Sequence, residues 1–171
     1  MTHSIVASGL LFPEGPVALP DGGIAVCEIA RGTVSRVDAD GTVAVIARTG
    51  GGPNGMALGP DGALYVCNNG GMRWPPHRDG EWLRPLHGTP DDYAGGSIQR
   101  VDPATGEVRT LYTHCGDVRL CGPNDLVFDR AGGFYFTDFG KTRERDRDIG
   151  CVYYAPVSYT HLRAHETLRY L

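Results

Sequence analysis

Three stretches of this chain follow one pattern, and any fold must accommodate them as equivalents. Pro13-Glu14-Gly15, Pro53-Asn54-Gly55 and Pro123-Asn124-Asp125 each open a short apolar run. A turn follows, centred on Gly22, Gly62 or Gly132, and then a second apolar run: Ile24-Ala25-Val26-Cys27, Leu64-Tyr65-Val66-Cys67 or Phe134-Tyr135-Phe136-Thr137. Glu14, Asn54 and Asn124 stand at one common distance from the turn glycine, so the copies share a register. A polar residue closes each second run: Glu28, Asn68 and Asp138. Repetition at this spacing marks stacked units or propeller blades. Oxygen-bearing side chains at matched points of successive blades converge on one axis, which suits a hard cation.

Each copy has a second half. Residues 33–38 (TVSRVD), a turn at Asp40-Gly41 and residues 42–47 match residues 97–102 (SIQRVD), a turn at Thr105-Gly106 and residues 107–112. A third copy starts at Gly150-Cys151-Val152-Tyr153. Alternation of period two, punctuated by Asp-Gly and Thr-Gly, predicts antiparallel hairpins. No helical period with caps appears before residue 158. The expected fold is all-β: a propeller of four-stranded antiparallel blades. The connections between the second and third strands cover residues 29–31, 69–95 and 139–149. Strand direction puts these loops on the face where the first strands begin. The 69–95 insertion is therefore expected to hang over Glu14, Asn54 and Asn124 as a lid.

From about Ser158 the sequence SYTHLRAHETLRYL departs from the pattern, where the third strand should turn into a fourth. It reads as translated adapter sequence appended to a gene fragment and is set aside from the fold. A terminal helix with Leu162, His165 and Arg169 on one face is the alternative. The expected organisation is a partial propeller of about two and a half blades over residues 1–157, followed by a tail at 158–171.

Twenty-five Gly and 12 Pro, dispersed along the chain, suit many short strands and turns. The net charge of −4, without a basic stripe, argues against nucleic acid. No apolar stretch has the length of a membrane span. Residues 1–12 lack the positive start of a secretory signal. Five cysteines without a C-x-x-C pair argue against a disulfide scaffold or zinc site and fit a reduced cytoplasm. Cys27 and Cys67, at one repeat position, read as buried small hydrophobes.

Glu14 alone would read as a turn residue before a strand, and Asn54 as a left-handed turn residue before Gly55. Asn124-Asp125 has no following glycine, so turn chemistry explains it less well. One carboxylate with amide oxygens suits Ca²⁺ or a similar hard divalent ion. Trp74, His77, Trp82 and His87 fall in the proposed lid, where they either contact a ligand or anchor the loop. Residues 141–148 (KTRERDRD) alternate in sign and read as a solvated loop. No nucleophile elbow, Walker loop or dinucleotide fingerprint is present.

FPEGPV, GGPNGMALGPDGALYVCNNGG and GPNDLVFDRAGGFYFTDFGK resemble the senescence-marker-protein, gluconolactonase and luciferin-regenerating-enzyme family over residues 10–157. The resemblance implies about the first half of a six-bladed ring. It also implies one divalent cation in the central channel, with Ca²⁺ expected and Zn²⁺, Mg²⁺ or Mn²⁺ as alternatives. The implied activity is hydrolysis of sugar lactones or related esters, with a small-molecule lactone as partner. By position, Glu14 matches a metal-binding glutamate of the family, and Asn124 an asparagine that contacts metal in some members and substrate in others. Asn124 is assigned to the metal, and Asn54, Asp125, Trp74 and His77 to the substrate. The family's catalytic Asp falls in a later blade, beyond this sequence, so the resemblance implies a metal-dependent hydrolase in the full-length form and an inactive fragment here. The competing reading is a non-catalytic propeller that binds a partner and uses the cation as a brace.

Overall fold

The computed structural model describes residues 3–76 and 83–156 and the strand Arg163–His165. Three four-stranded sheets account for most of it. The first holds β1 (Pro13–Ala18), β2 (Ile24–Glu28), β3 (Thr33–Val37) and β4 (Val43–Arg48). The second holds β5 (Pro53–Leu58), β6 (Leu64–Asn68), β7 (Ser97–Val101) and β8 (Val108–Tyr112). A two-stranded hairpin, β9 (His114–Cys115) and β10 (Val118–Arg119), links it onward. The third sheet holds β11 (Pro123–Phe128), β12 (Phe134–Asp138), β13 (Cys151–Ala155) and β14 (Arg163–His165). Every pairing is antiparallel between sequence neighbours, the meander of a propeller blade.

One turn is used three times. Gly22 N donates to Leu19 O (3.0 Å), Gly62 N to Gly59 O (3.0 Å) and Gly132 N to Asp129 O (3.2 Å). Each glycine is left-handed, at φ 89°, 77° and 88°, which is why glycine stands there. An aspartate of each turn is held from the third strand. Arg36 reaches Asp21 and Arg100 reaches Asp61, both at 2.8 Å, and the Tyr154 hydroxyl donates to Asp129 (2.9 Å).

The second sheet is the middle layer. Leu64 and Val66 pack with Ala25, Cys27, Val34 and Ala47 of the first sheet. Tyr65 and Cys67, pointing the opposite way on the same strand, pack with Phe134, Phe136, Tyr153 and Leu126 of the third. β6 is consequently buried at every position, whereas β12 alternates buried and exposed. A buried phenylalanine contributes about 1.5–3 kcal/mol of hydrophobic stabilisation, and Phe134 and Phe136 both lie in this second layer.

Two expectations change. The third sheet has a fourth strand, because β14 pairs with β13 (Val152↔His165, Tyr153↔Ala164, Tyr154↔Arg163). The unpaired backbone groups of an edge strand accept any extended neighbour, whatever its side-chain pattern. The 141–148 segment is not wholly solvated either. Arg143 binds Asp146 and Asp148 near the surface, but Lys141 is buried.

Candidate functional site

The three innermost strands, β1, β5 and β11, lie side by side. Their approach is set by glycine: a Cβ on Gly15 would lie 2.6 Å from Asn54 O, and one on Gly55 would overlap Asn124 O and Asp125. All three strands carry a bulge at the same place, between Glu14 and Val17, Pro53 and Met56, and Pro123 and Leu126. A bulge re-aims the side chains beside it. Glu14, Gly15, Asn54, Gly55, Asn124 and Asp125 form the polar part of one cavity of about 340 Å³. Asn54 is buried and donates from Nδ2 to Asn124 Oδ1 (3.0 Å). That bond uses one lone pair and leaves the other available. Glu14 and Asp125 are exposed toward solvent, and Leu126 N donates to Asp125 Oδ1 (2.8 Å).

The remaining lining is apolar: Phe12, Ile29, Met72 and Phe139. Ile29, Met72 and Phe139 come from the three loops that follow the second strands, so loops and strand starts share a face. Within the 69–95 insertion, Met72 lines the cavity, and the Trp74 ring packs on Phe12 with centroids 5.1 Å apart. His87 is exposed, and its carbonyl accepts from Arg73 Nη1 (3.2 Å). His77 and Trp82 lie outside the described residues. Cys27 is paired with Glu14 across β1 and β2. Burial pushes its thiol far above the usual range, and the charges of Glu14 and Asp125 add to this. Cys67 is raised by burial as well. Both therefore stay protonated as core residues. The cavity's ionic character comes from two carboxylates beside two amides. Among the described residues no three His, Cys, Asp or Glu side chains gather as a cation site. The oxygen set at the cavity mixes acid and amide, the donors hard cations take.

The family model for the SMP-30/Gluconolactonase/LRE-like region matches residues 12–169. This chain belongs to that family. It is 26% identical over 161 residues to a gluconolactonase of Zymomonas mobilis subsp. mobilis, covering 85% of this chain and 38% of the relative. A gluconolactonase structure from Xanthomonas campestris superposes with a TM-score of 0.68 at 24% identity, over 93% of this chain and 48% of that one. A chain of the nidogen/laminin complex superposes at 0.58 with 18% identity, over 89% of this chain and 47% of that one. Together they show the propeller architecture, and this chain spans about half the length of these relatives or less. Among the described residues no helix is long and apolar enough to cross a membrane.

Two features of this family member escape a sequence reading. The polar residues closing β2, β6 and β12 clamp the segments that lead into the inner strands. Glu28, fully buried, accepts from Leu11 N (2.7 Å) and Ser35 Oγ (2.6 Å) and pairs with Arg31 (3.0 Å). Asn68 Oδ1 accepts from Gly52 N (2.9 Å), and Asp138 accepts from Cys121 N (2.8 Å) and Gly122 N (2.7 Å). Their matched spacing is visible in sequence, but their role is positional. The second is Lys141. Its Nζ donates to Gly71 O (2.7 Å) and Asn69 Oδ1 (3.3 Å) and sits over the Tyr93 ring at 5.3 Å. It ties the loop bearing Phe139 to the loop bearing Met72. Burial lowers its pKa to about 8, against the opposing pull of Asp138, Cys121 and Asp148.

Proposed function

We propose that this chain contributes a cation-holding part of a lactone or ester hydrolase of gluconolactonase type. Family membership supports the reaction class, and the observation that carries the site is the convergence of Glu14, Asn54, Asn124 and Asp125 on one cavity. The donor set is all oxygen and anionic, which fits Ca²⁺ ahead of Zn²⁺. Glu14 and Asn124 would be the ligands. Asn54 orients the Asn124 oxygen through its 3.0 Å bond, and with Asp125 borders the substrate. Held by Glu14 and Asn124, a divalent ion would supply Lewis-acid polarisation of a lactone carbonyl. The protein's share is to fix the amide oxygens in place before substrate arrives, with the apolar lining of Phe12, Ile29, Met72 and Phe139 set beside them.

The test is calorimetric titration of Ca²⁺ with lactone hydrolysis measured in parallel, with and without chelator. Glu14→Gln removes one of the two cavity carboxylates and is expected to weaken Ca²⁺ at least tenfold. Unchanged affinity counts against the assignment. The shared architecture of the nidogen/laminin chain shows that the fold alone does not choose between hydrolysis and binding. Tight Ca²⁺ binding with no lactone turnover in a full-length protein that carries the later blades favours the non-catalytic reading.

A further inference from the structure

Phe12 breaks the repeat. The residue before the inner-strand proline is Phe12 in the first copy and Gly52 and Gly122 in the others. The backbone bonding is the same in all three: Ile29 N donates to Phe12 O (3.2 Å), Asn69 N to Gly52 O (2.8 Å) and Phe139 N to Gly122 O (3.1 Å). At the two glycines a side chain would collide with Asn69 and Gly71, or with Gly140. Phe12 carries its ring by adopting φ 58°, the one positive-φ residue other than glycine among the described residues. For a bulky residue this is a strained conformation, which persists only where the surroundings impose it. Here they do: Leu11 N is held by the buried Glu28 carboxylate, Ala30 N donates to Leu11 O (3.3 Å), and Phe12 O is held by Ile29. The ring belongs to neither hydrophobic core. It lies in the cavity wall, backed by Trp74.

Strain carried at one copy of a repeat, for a ring that fills no core, is spent on the cavity. We infer that Phe12 determines specificity, forming with Ile29, Met72 and Phe139 an apolar wall for the non-reacting part of the ligand. The favoured substrates are thus alkyl- or aryl-substituted lactones or esters, not polyhydroxylated sugar lactones. A sugar lactone entering against this wall loses water from hydroxyls that these four side chains cannot hydrogen-bond. An alkyl chain gains from the same burial. The polar groups, Glu14, Asn54, Asn124 and Asp125, stay with the ester group. This inference rests on the lactone reading proposed above.

The probes are δ-decalactone and glucono-δ-lactone, which share the reacting ring and differ in substituent. Binding is read by stopped-flow tryptophan fluorescence, Trp74 being in contact with Phe12, on the wild type and Phe12→Gly. The wild type is expected to bind δ-decalactone at least about tenfold more tightly. Phe12→Gly restores the residue of the other copies and should erase most of that preference. Its melting temperature should change little, since glycine takes this φ freely. Should the glycine variant melt early, Phe12→Asn, which also tolerates a left-handed backbone, carries the comparison. Tighter binding of glucono-δ-lactone, or an unchanged preference in both variants, overturns the role of Phe12 and leaves lactone binding intact. Failure of the wild type to bind either probe overturns the lactone reading and this inference with it.

Discussion

At the scale of single residues, Lys141 gives the most direct measurement. It is the only lysine in the sequence, so lysine labelled at Cε yields one side-chain signal. Burial lowers its pKa to about 8 from the ordinary 10.5. The unfolded chain therefore holds the proton more tightly, and this group adds stability as pH rises from about 8 to 10.5. Below that window it is charged in both states and contributes no slope. The expected carbon titration midpoint is near 8, and Lys141→Met should remove this component from the pH dependence of melting. A midpoint near 10.5 would show the ammonium to be solvated. The alternating charges of residues 141–148 could not reveal this burial, because the partners Asn69 and Gly71 lie some 70 positions away and belong to another copy.

Among the elements, the inner strands carry the sharpest demand. Gly55 lies so close to β11 that a Cβ would overlap Asn124 O and the Asp125 backbone and carboxylate. Gly55→Ala must separate β5 from β11, at a cost of about 1–3 kcal/mol by analogy with overpacking. It should also break the Asn54–Asn124 bond and weaken Ca²⁺ binding. Gly62→Ala is the matched comparison: its Cβ meets nothing within 4 Å, so only the left-handed backbone is penalised. Equal Ca²⁺ affinity in the two variants would separate inner-strand spacing from ion binding. The strands and turns were legible because alternation and turn glycines are local signals, repeated in register. Glu14, Asn54 and Asn124 stood out through repetition as well. The bulges that re-aim them did not, since a bulge depends on pairing with β2, β6 and β12 rather than on any residue type. Phe12 was invisible for a related reason. Its meaning lies in a backbone angle and in the contrast with Gly52 and Gly122.

In the whole molecule, stability should be graded by layer. The second sheet is covered on both faces, with Leu64 and Val66 against the first sheet and Tyr65 and Cys67 against the third. In the first sheet β2 and β3 are also buried at nearly every position, whereas the third sheet is covered on one face. On the third, Val127, Tyr135 and Tyr154 form a cross-strand row, with Val127 at 63% and Tyr135 at 41% exposure. Local opening costs least where few apolar contacts are lost, and amide exchange reads that cost. β6 and β7 are therefore expected to exchange most slowly, with β4 and β13 opening earlier. Phe134→Ala removes a fully buried ring from the layer between the second and third sheets, at a cost of about 3–5 kcal/mol. That change should accelerate exchange in β11–β13 and in β6 and β7, while sparing β1–β4, whose contacts run through the other layer. Equal acceleration across all three sheets would instead describe one cooperative unit, in which the two layers open together and the grading by layer does not hold.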